Sequence, residues 1–330
     1  PTCVAARGPG ARPGAETVVA APMASDPTPP TTSLAGDPKR HLGEGAMHAL
    51  FFACALTSVL ATAGILAVLL TETLGFFARV PLVDFLTGPR WAPGAVEPAF
   101  GVLPLVAGSV TVAGIAALVA LPVGLLVAIF LSEYASRPVR AVLKPTLEIL
   151  AGIPTVVYGF FALTTVTPAL RILIPGLQIY NALTAGLVVG LMIVPMVSTL
   201  AEEALRRVPP GWREAAWSLG ATRAQVVIRV VLPGAAAGVG AAFLLALSRA
   251  LAETMVVTIA AGASPTLTPN PLEAVQTMTA FIVQVGLGDA PQGSILHGSL
   301  FAVGTALFAA TLALNTASQW VVRRVAGSRR

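Results

Sequence analysis

The chain has 330 residues, of which 55% are hydrophobic and 11% are charged, and its formal net charge is +5. An average soluble domain carries roughly 25% charged residues, so this composition excludes an ordinary soluble protein and indicates one that lies largely within a membrane. The basic residues are sorted into particular connections, which argues against nucleic acid as the partner of the positive charge. Two cysteines and three scattered histidines lack metal-ligand spacing, so no metal site is predicted.

The first segment, residues 1–46, is rich in Pro, Ala, Gly and Thr and has no apolar periodicity. Such a segment cannot bury enough apolar surface to fold, so we predict a disordered tail on the cytoplasmic side. A native start at Met23 or Met47 would leave part or all of it outside the native protein.

Six apolar stretches follow, each near the length of about 20 residues that a helix needs to cross the hydrocarbon core of a bilayer. The sequence therefore predicts an all-α membrane protein with a transmembrane domain over 47–325 and a short basic tail at 326–330. The predicted spans lie near 49–70, 102–131, 147–169, 182–200, 234–262 and 299–322.

The connections between these spans differ sharply in their content of Lys and Arg. Sixteen of the 20 basic residues lie in the N-terminal tail, in 132–146, in 201–233 and in the C-terminal tail. The alternate connections hold only Arg79, Arg90 and Arg171. Since basic residues near span ends stay on the cytoplasmic side, both termini and the segment 201–233 are predicted to be cytoplasmic.

One connection on the opposite side contains a short apolar stretch, Val275–Gly288, between Pro271 and Pro291. It is too short to cross a bilayer, and we predict an interfacial or re-entrant helix there.

The cytoplasmic segment contains the stretch GWREAAWSLGATRAQVVIRVVLPG, residues 211–234. Its first half has apolar residues at the spacing of one helix face. These residues are Trp212, Ala215, Ala216 and Leu219.

The second half of this stretch carries signals for a turn and a new helix. Gly220 stands where a helix ends in the left-handed conformation, and Thr222 with Gln225 forms a T-x-x-Q capping box. Pro233 is predicted to close this second helix. Such a hairpin either lies on the bilayer surface among lipid heads or docks a partner protein, and the rigid glycine turn favours docking.

The same residues resemble the EAA loop of the inner-membrane permeases of ABC importers, which has the pattern E-A-A-x3-G-x9-I-x-L-P. Only the Ile position departs, to Val. The matching residues are Glu214, Ala215, Ala216, Gly220, Val230, Leu232 and Pro233.

Five further segments are similar to the phosphate-import permeases of the PstC and PstA type, and lean towards PstC. They are FLTGPRW (85–91), FGVLPLVAGSV (100–110), AIFLSEYAS (128–136), LAGIPTVVYGFFAL (150–163) and SRALAETMVVTIAAG (248–262). The resemblance covers about residues 47–325 and implies the type I ABC importer permease fold in the cell membrane.

The resemblance also implies the rest of a transport complex. We expect a second, PstA-like permease subunit, a PstB-like ATPase dimer in the cytoplasm and a PstS-like phosphate-binding protein outside, with membrane lipid around the spans. The EAA loop would couple to the ATPase, with Glu214 as polar anchor. The chain has no G-x-x-x-x-G-K-[ST] motif, so we expect it to bind no cofactor and to rely on ATP hydrolysis by its partner.

Two charged residues lie inside the fifth predicted span, Arg249 and Glu253, one helical turn apart. A central Arg costs about 2.5 to 3.5 kcal/mol on insertion scales, which the weak attraction of an i, i+4 pair does not offset. Either they line a water-filled pathway, where a guanidinium can bind an oxyanion, or they bridge to a neighbouring subunit. The R-A-L-x-E pattern shared with phosphate permeases favours the pathway.

Three alternatives remain from the sequence. A permease of the same superfamily could carry sulfate or molybdate instead of phosphate. A secondary transporter driven by an ion gradient would need no ATPase, and the spacing of the EAA residues argues against it. A structural or signalling role can coexist with transport.

Overall fold

The computed structural model describes residues 38–288 and 290–327, with side chains described from Met47 to Trp320 apart from residue 289. A two-stranded sheet, β1 (Trp91–Ala92) and β2 (Ala99–Phe100), accompanies the helices. In chain order the α-helices are α1 (Pro38–Phe77), α2 (Leu82–Thr87), α3 (Leu103–Ile129), α4 (Arg137–Gly152), α5 (Thr155–Phe161), α6 (Thr167–Leu173), α7 (Ala182–Arg206), α8 (Pro210–Ser218), α9 (Arg223–Val226), α10 (Leu232–Leu251), α11 (Met255–Ala260), α12 (Met278–Leu287) and α13 (Ile295–Gly327).

Three π turns, which are single wide turns with i to i+5 hydrogen bonding, join some of these helices end to end. The first π turn follows α3, the second joins α5 to α6, and the third joins α9 to α10. They are Phe130–Tyr134, Ala162–Val166 and Val227–Val231.

The chain divides into two units, residues 1–60 and 61–330. The described part of the first unit is the beginning of α1, which starts at Pro38, so residues 38–46 are helical although composition predicted a disordered tail up to 46. Residues 1–37, the rest of that predicted tail, lie outside the described residues. The second unit contains all the other elements.

The prediction of six spans is confirmed, because six helices in the described part of the chain are long and apolar enough to cross a membrane. Their bounds are Met47–Phe77, Leu103–Tyr134, Thr155–Leu173, Ala182–Arg206, Arg223–Leu251 and Ile295–Trp320.

Two of the spans differ from their predicted positions. The third begins at Thr155, since Pro154 breaks the helix and leaves α4 as a separate amphipathic helix before it. The fifth begins at Arg223 and ends at Leu251, and a break then separates it from the short helix α11. Hydropathy alone could not place these breaks, because predominantly apolar sequence lies on both sides of each.

The centre of the second unit is the contact between α3 and α7, and glycines bring the two backbones close together. A Cβ atom on Gly124 would stand 2.6 Å from the side chain of Val197, and one on Gly186 would stand 2.6 Å from Ile115. Small residues let helix backbones approach closely. Within a membrane this close packing holds helices together, because lipid is as apolar as the helix surfaces and supplies no hydrophobic driving force. More than half of α7 is buried by its neighbours in the chain.

At one end of the bundle, aromatic rings hold the connections together. Trp91 pairs with Phe100 across β1 and β2, and it meets Phe281 of α12 edge to face with ring centroids 4.8 Å apart. The Ser109 hydroxyl of α3 accepts a hydrogen bond from the Met278 backbone N–H at 3.0 Å. The short apolar helix predicted within 275–288 is therefore present as α12, and its first turn is buried against α3.

We predict that Gly124→Ala destabilises the protein, because the added methyl group overlaps Val197 between α3 and α7. Overpacking of this kind costs about 1–3 kcal/mol, and the midpoint of thermal unfolding in detergent should fall. The matched control is Gly114→Ala on the same helix, where no atom lies within 4 Å of the new methyl group. Equal midpoints for the two variants would contradict the close contact.

Candidate functional site

The EAA-like residues lie in a helical hairpin, which we define as Pro210–Val226 and which comprises α8, a tight turn and α9. Gly220 has a φ of 78°, in the left-handed region. Its N–H donates to the Trp217 carbonyl at 2.9 Å, and the Ala221 N–H donates to the Ala216 carbonyl at 3.1 Å. These two bonds form a complete Schellman motif, so the predicted glycine turn is confirmed.

The second helix of the hairpin begins with the predicted capping box. The Thr222 N–H donates to Gln225 Oε1 at 2.9 Å, and the Gln225 N–H donates to the Thr222 hydroxyl. Both reciprocal bonds are present, so this prediction is also confirmed.

The prediction that Pro233 ends this second helix is wrong, since the helix continues from α9 through the third π turn into α10. In the π turn the Leu232 N–H reaches back to the Val227 carbonyl. The wide turn moves the carbonyls that a proline would otherwise block, so Pro233 is accommodated at the start of α10. Of the predicted loop 201–233, residues 201–206 still belong to α7.

Helix α8 presents most of its surface to its surroundings and buries none of its residues fully. Glu214 and Ala215 are exposed, and Ala216 is half-buried against the bundle. Leu219 is 89% exposed, and two tryptophans are about half exposed, Trp212 at 53% and Trp217 at 47%. The apolar face predicted from the sequence is therefore left largely uncovered by the chain itself.

One side chain of α8, Arg213, forms a buried ion pair with Glu133 in the first π turn. Its Nη2 lies 2.8 Å from Glu133 Oε1, its Nε lies 3.3 Å from Oε2, and the two side chains are only 14% and 9% exposed. The remaining contacts are to the last turn of α7 and the segment just after it, where Nη2 donates to the Leu205 carbonyl at 2.9 Å and Nη1 to the Val208 carbonyl at 2.7 Å. Arg213 thus joins α8, α3 and α7 through the two-pronged geometry of its guanidinium.

The other half of the hairpin contacts the same π turn. The Arg223 guanidinium lies 5.8 Å from the centre of the Tyr134 ring, within the range of a cation–π interaction. Both halves of the hairpin therefore rest on Phe130–Tyr134, and a cavity of about 490 Å³ lies between them, lined by Ser132, Glu133, Arg206, Arg213, Trp217 and Arg223.

A second charged cluster surrounds Glu202 near the end of α7. This carboxylate is 2% exposed and is paired with Arg140 of α4, while Lys144 Nζ lies 3.8 Å from its Oε2 and Arg206 Nε lies 3.7 Å from its Oε1. A buried carboxylate requires such partners, because desolvation of an unpaired charge costs several kcal/mol. The cluster fixes α4 against α7.

The two charged residues of the fifth span are not paired with each other. Arg249 lies in the last turn of α10 with its side chain exposed, whereas Glu253 lies beyond the helix end and is 7% exposed. The Glu253 carbonyl accepts a bond from the Thr279 hydroxyl at 2.7 Å, and its Oε1 faces the Val256 N–H at 3.5 Å. The predicted i, i+4 arrangement fails because the helix breaks after Leu251. No ion pair to Arg249 occurs in the described part of the chain.

The sequence analysis missed the charged contacts of this end of the bundle, because it assigned no role to Glu133 or Glu202. A usable signal exists for each. Arg140 and Lys144 are four residues apart and so share one helix face, and Glu133 lies at a span end on the same side as the hairpin. Over residues 47–288 and 290–320, whose side chains the structure describes, no cluster of His, Cys, Asp and Glu suited to a metal ion occurs.

A protein-family model described as "Binding-protein-dependent transport system inner membrane component" matches residues 120–327. The chain is 33% identical over 270 residues to the probable ABC transporter permease protein YqgH of Bacillus subtilis, which covers 81% of this chain and 87% of that protein. It is 31% identical over 261 residues to the phosphate transport system permease protein PstC of Mesorhizobium japonicum, which covers 73% of this chain and 79% of the relative.

Among solved structures, the chain is similar to one from the bacterial alginate ABC transporter in complex with an alginate pentasaccharide-bound periplasmic protein. The TM-score is 0.62 at 17% sequence identity, over 86% of this chain and 97% of the other. At this identity the likeness shows a shared fold, that of a type I importer permease, and nothing about the substrate.

We predict that Gly220→Ala loosens the hairpin, because a side chain at this left-handed φ costs about 1–2 kcal/mol. That cost corresponds to a roughly 5- to 30-fold change in an opening equilibrium, and hydrogen exchange at the last turn of α8 should accelerate by about that factor. Gly211→Ala is the control, since Gly211 lies in the same helix with open space around it and without a positive φ. The same exchange rates in both variants would contradict a turn that depends on glycine.

Proposed function

The chain belongs to the family of binding-protein-dependent transport system inner membrane components, and we propose that it is the PstC-like permease subunit of an ATP-driven phosphate importer. The proposal for phosphate is supported by the likeness to a PstC protein over 73% of the chain. Six membrane-spanning helices provide the multi-pass framework that such a subunit needs.

The helical hairpin is the surface that couples to the ATPase in this proposal. The observation that carries it is the exposure of α8 and its C-cap, where the described chain leaves Leu219 almost fully exposed and Trp212 and Trp217 about half exposed. Large apolar side chains rimmed by charged residues are typical of protein interfaces, and tryptophan is enriched at their energetic centres. Glu214 and Ala215 lie on the exposed side, where Glu214 would anchor the partner and Ala215 would allow a close approach.

The orientation of the chain follows from the same proposal. The hairpin lies at the end of the bundle where α3 and α7 end and α10 begins, together with most of the basic residues whose side chains are described in the second unit. Basic connections favour the cytoplasmic side. An even number of spans then returns both termini to the cytoplasm, and the opposite end with β1, β2 and α12 would receive the binding protein.

Arg249 is the proposed contact of the pathway with the anion. Its guanidinium is exposed in a membrane-spanning helix and has no carboxylate partner within the described residues. A charge in such a helix avoids lipid and faces either water or another protein chain. A water-filled pathway between this chain and a second permease subunit satisfies both conditions, and Glu253 beside the helix break would shape that pathway. ATP would be hydrolysed by the partner and no cofactor would be held by this chain.

Uptake of radiolabelled phosphate by cells that express the complete importer tests the substrate. We expect excess unlabelled phosphate to suppress the uptake and equal concentrations of sulfate or molybdate to leave it unchanged. A complete importer that takes up labelled sulfate or molybdate but no labelled phosphate would assign the permease to another oxyanion.

Replacement of Arg249 tests the pathway. Loss of hydrogen bonds to a charged group costs about 1.5–3 kcal/mol, so Arg249→Ala should reduce uptake by roughly 10- to 100-fold while the complex still assembles. Leu245→Ala, one turn earlier on the same exposed face, is the control and should stay within about twofold of wild type. Normal uptake by Arg249→Ala would remove this residue from the pathway.

A further inference from the structure

The hairpin is attached to the membrane helices by few polar contacts, and they converge on one short segment. Within the described part of the chain, Arg213 is the α8 side chain that forms hydrogen bonds to the transmembrane helices. It engages both oxygens of Glu133, and Arg223 lies over the neighbouring Tyr134 ring.

The π turn determines where Glu133 points. The Ala135 N–H reaches back to the Phe130 carbonyl at 2.8 Å, an i to i+5 bond that inserts one extra residue at the end of α3. This wide turn places the Glu133 carboxylate beside α8, where the Ser132 hydroxyl also donates to it at 3.0 Å. The carboxylate therefore has three donors and a fixed orientation.

The guanidinium is equally constrained. Four of its five N–H bonds are used, two on Glu133 and two on the carbonyls of Leu205 and Val208. Leu205 lies in the last turn of α7 and Val208 lies two residues beyond its end, and the C-terminal end of a helix favours a positive charge. The two side chains are only 14% and 9% exposed, so each charge depends mainly on its protein partners rather than on water.

From this geometry we propose that the Glu133–Arg213 pair is the positioning contact that makes α8 and the ends of α3 and α7 move as one body when the hairpin is displaced. The proposal rests on the function proposed above, in which the ATPase seats on α8. Since α3 and α7 pack through glycines without free space, a displacement that reaches their ends is carried along both helices. In this proposal the pair transmits the displacement of α8 to the membrane helices, and it contacts neither substrate nor nucleotide.

The test uses the complete importer, with its ATPase and binding protein, reconstituted in vesicles. Glu133→Gln removes the charge of the buried carboxylate. We expect ATPase subunits to copurify with this variant, ATP hydrolysis to stay within about threefold of wild type, and phosphate imported per ATP hydrolysed to fall about tenfold or more. Arg213→Lys keeps the positive charge but loses the two-pronged guanidinium. It should lower the phosphate imported per ATP by a smaller factor than Glu133→Gln does.

The matched control is Glu203→Gln. Glu203 pairs with Arg207 at 3.7 Å at the same end of the bundle, but both side chains are exposed, at 56% and 82%. An exposed pair of this kind contributes little, so the control should match wild type in import per ATP. A ratio for Glu133→Gln equal to that of Glu203→Gln would overturn the proposal.

A distance measurement gives an independent readout, also where one variant assembles poorly. Spin labels at the exposed positions 136 and 218, in a background with Cys3 and Cys54 replaced by Ser, report the separation between α4's start beside the π turn and α8. We expect the same separation with and without ATP in the parent protein and in Glu203→Gln, and a shift or broadening on ATP binding in Glu133→Gln or Arg213→Lys. An ATP-dependent separation in the parent protein would overturn the single-body proposal.

The two proposals fail in different ways. A parent importer that recovers no ATPase subunit would overturn the proposed function and this inference with it. A parent importer that works, with Glu133→Gln indistinguishable from the control in both measurements, would overturn this inference alone.

Discussion

The close approach of α3 and α7 is the contact on which the rest of the second unit depends. Gly124 and Gly186 remove the side chains that would hold the helices apart, and Val197 and Ile115 occupy the space. Helix α10 joins them in the same way, since a Cβ atom on Gly238 would stand 2.6 Å from the Ala204 side chain. Within a bilayer the helices are surrounded by apolar lipid, so the hydrophobic effect does not drive them together. Close van der Waals packing is then the main source of cohesion between them.

The two ends of this helical core are held by different physical means. At the end with β1, β2 and α12, aromatic rings meet edge to face and exclude water. At the hairpin end, largely buried carboxylates form ion pairs with arginines. Glu202 pairs with Arg140 of α4, and Glu133 pairs with Arg213 of α8. Ion pairs are strongly directional, so they orient the elements they join more narrowly than apolar contacts do. The end that meets the proposed ATPase is therefore the one with directional contacts.

Much of the architecture could be predicted from the sequence, because each prediction depended on local chemistry. Six spans follow from apolar length, and the Gly220 turn and the Thr222 capping box follow from residues at fixed spacing. The errors arose where the backbone hydrogen bonding changes inside a predominantly apolar stretch, which average hydropathy does not reveal. Pro233 was predicted to end a helix that a π turn carries past it, and Glu253 was placed on a helix that ends at Leu251.

The candidate site was predictable in part for a related reason. Exposed residues such as Glu214 and Gly220 belong to a local pattern, whereas Glu133 and Arg213 are 80 positions apart and meet only in the fold. Their pairing depends on the extra residue in the first π turn, for which the sequence gives no local signal. The exposure of Arg249 is likewise a property of the packed helices rather than of its neighbours in the chain.

The third π turn links the hairpin to α10, so the orientation of the hairpin depends on the number of residues in this turn as well as on their type. Each residue of an α-helix advances the chain by about 100° around the axis. A substitution between Val227 and Val231 alters only local packing, but a single deletion there would rotate Thr222 and Gly220 by that angle relative to α10. The hairpin would keep its caps and its turn while presenting a different face to the proposed ATPase. The number of residues between Gly220 and Pro233 thus sets which face of the hairpin is presented away from the membrane helices.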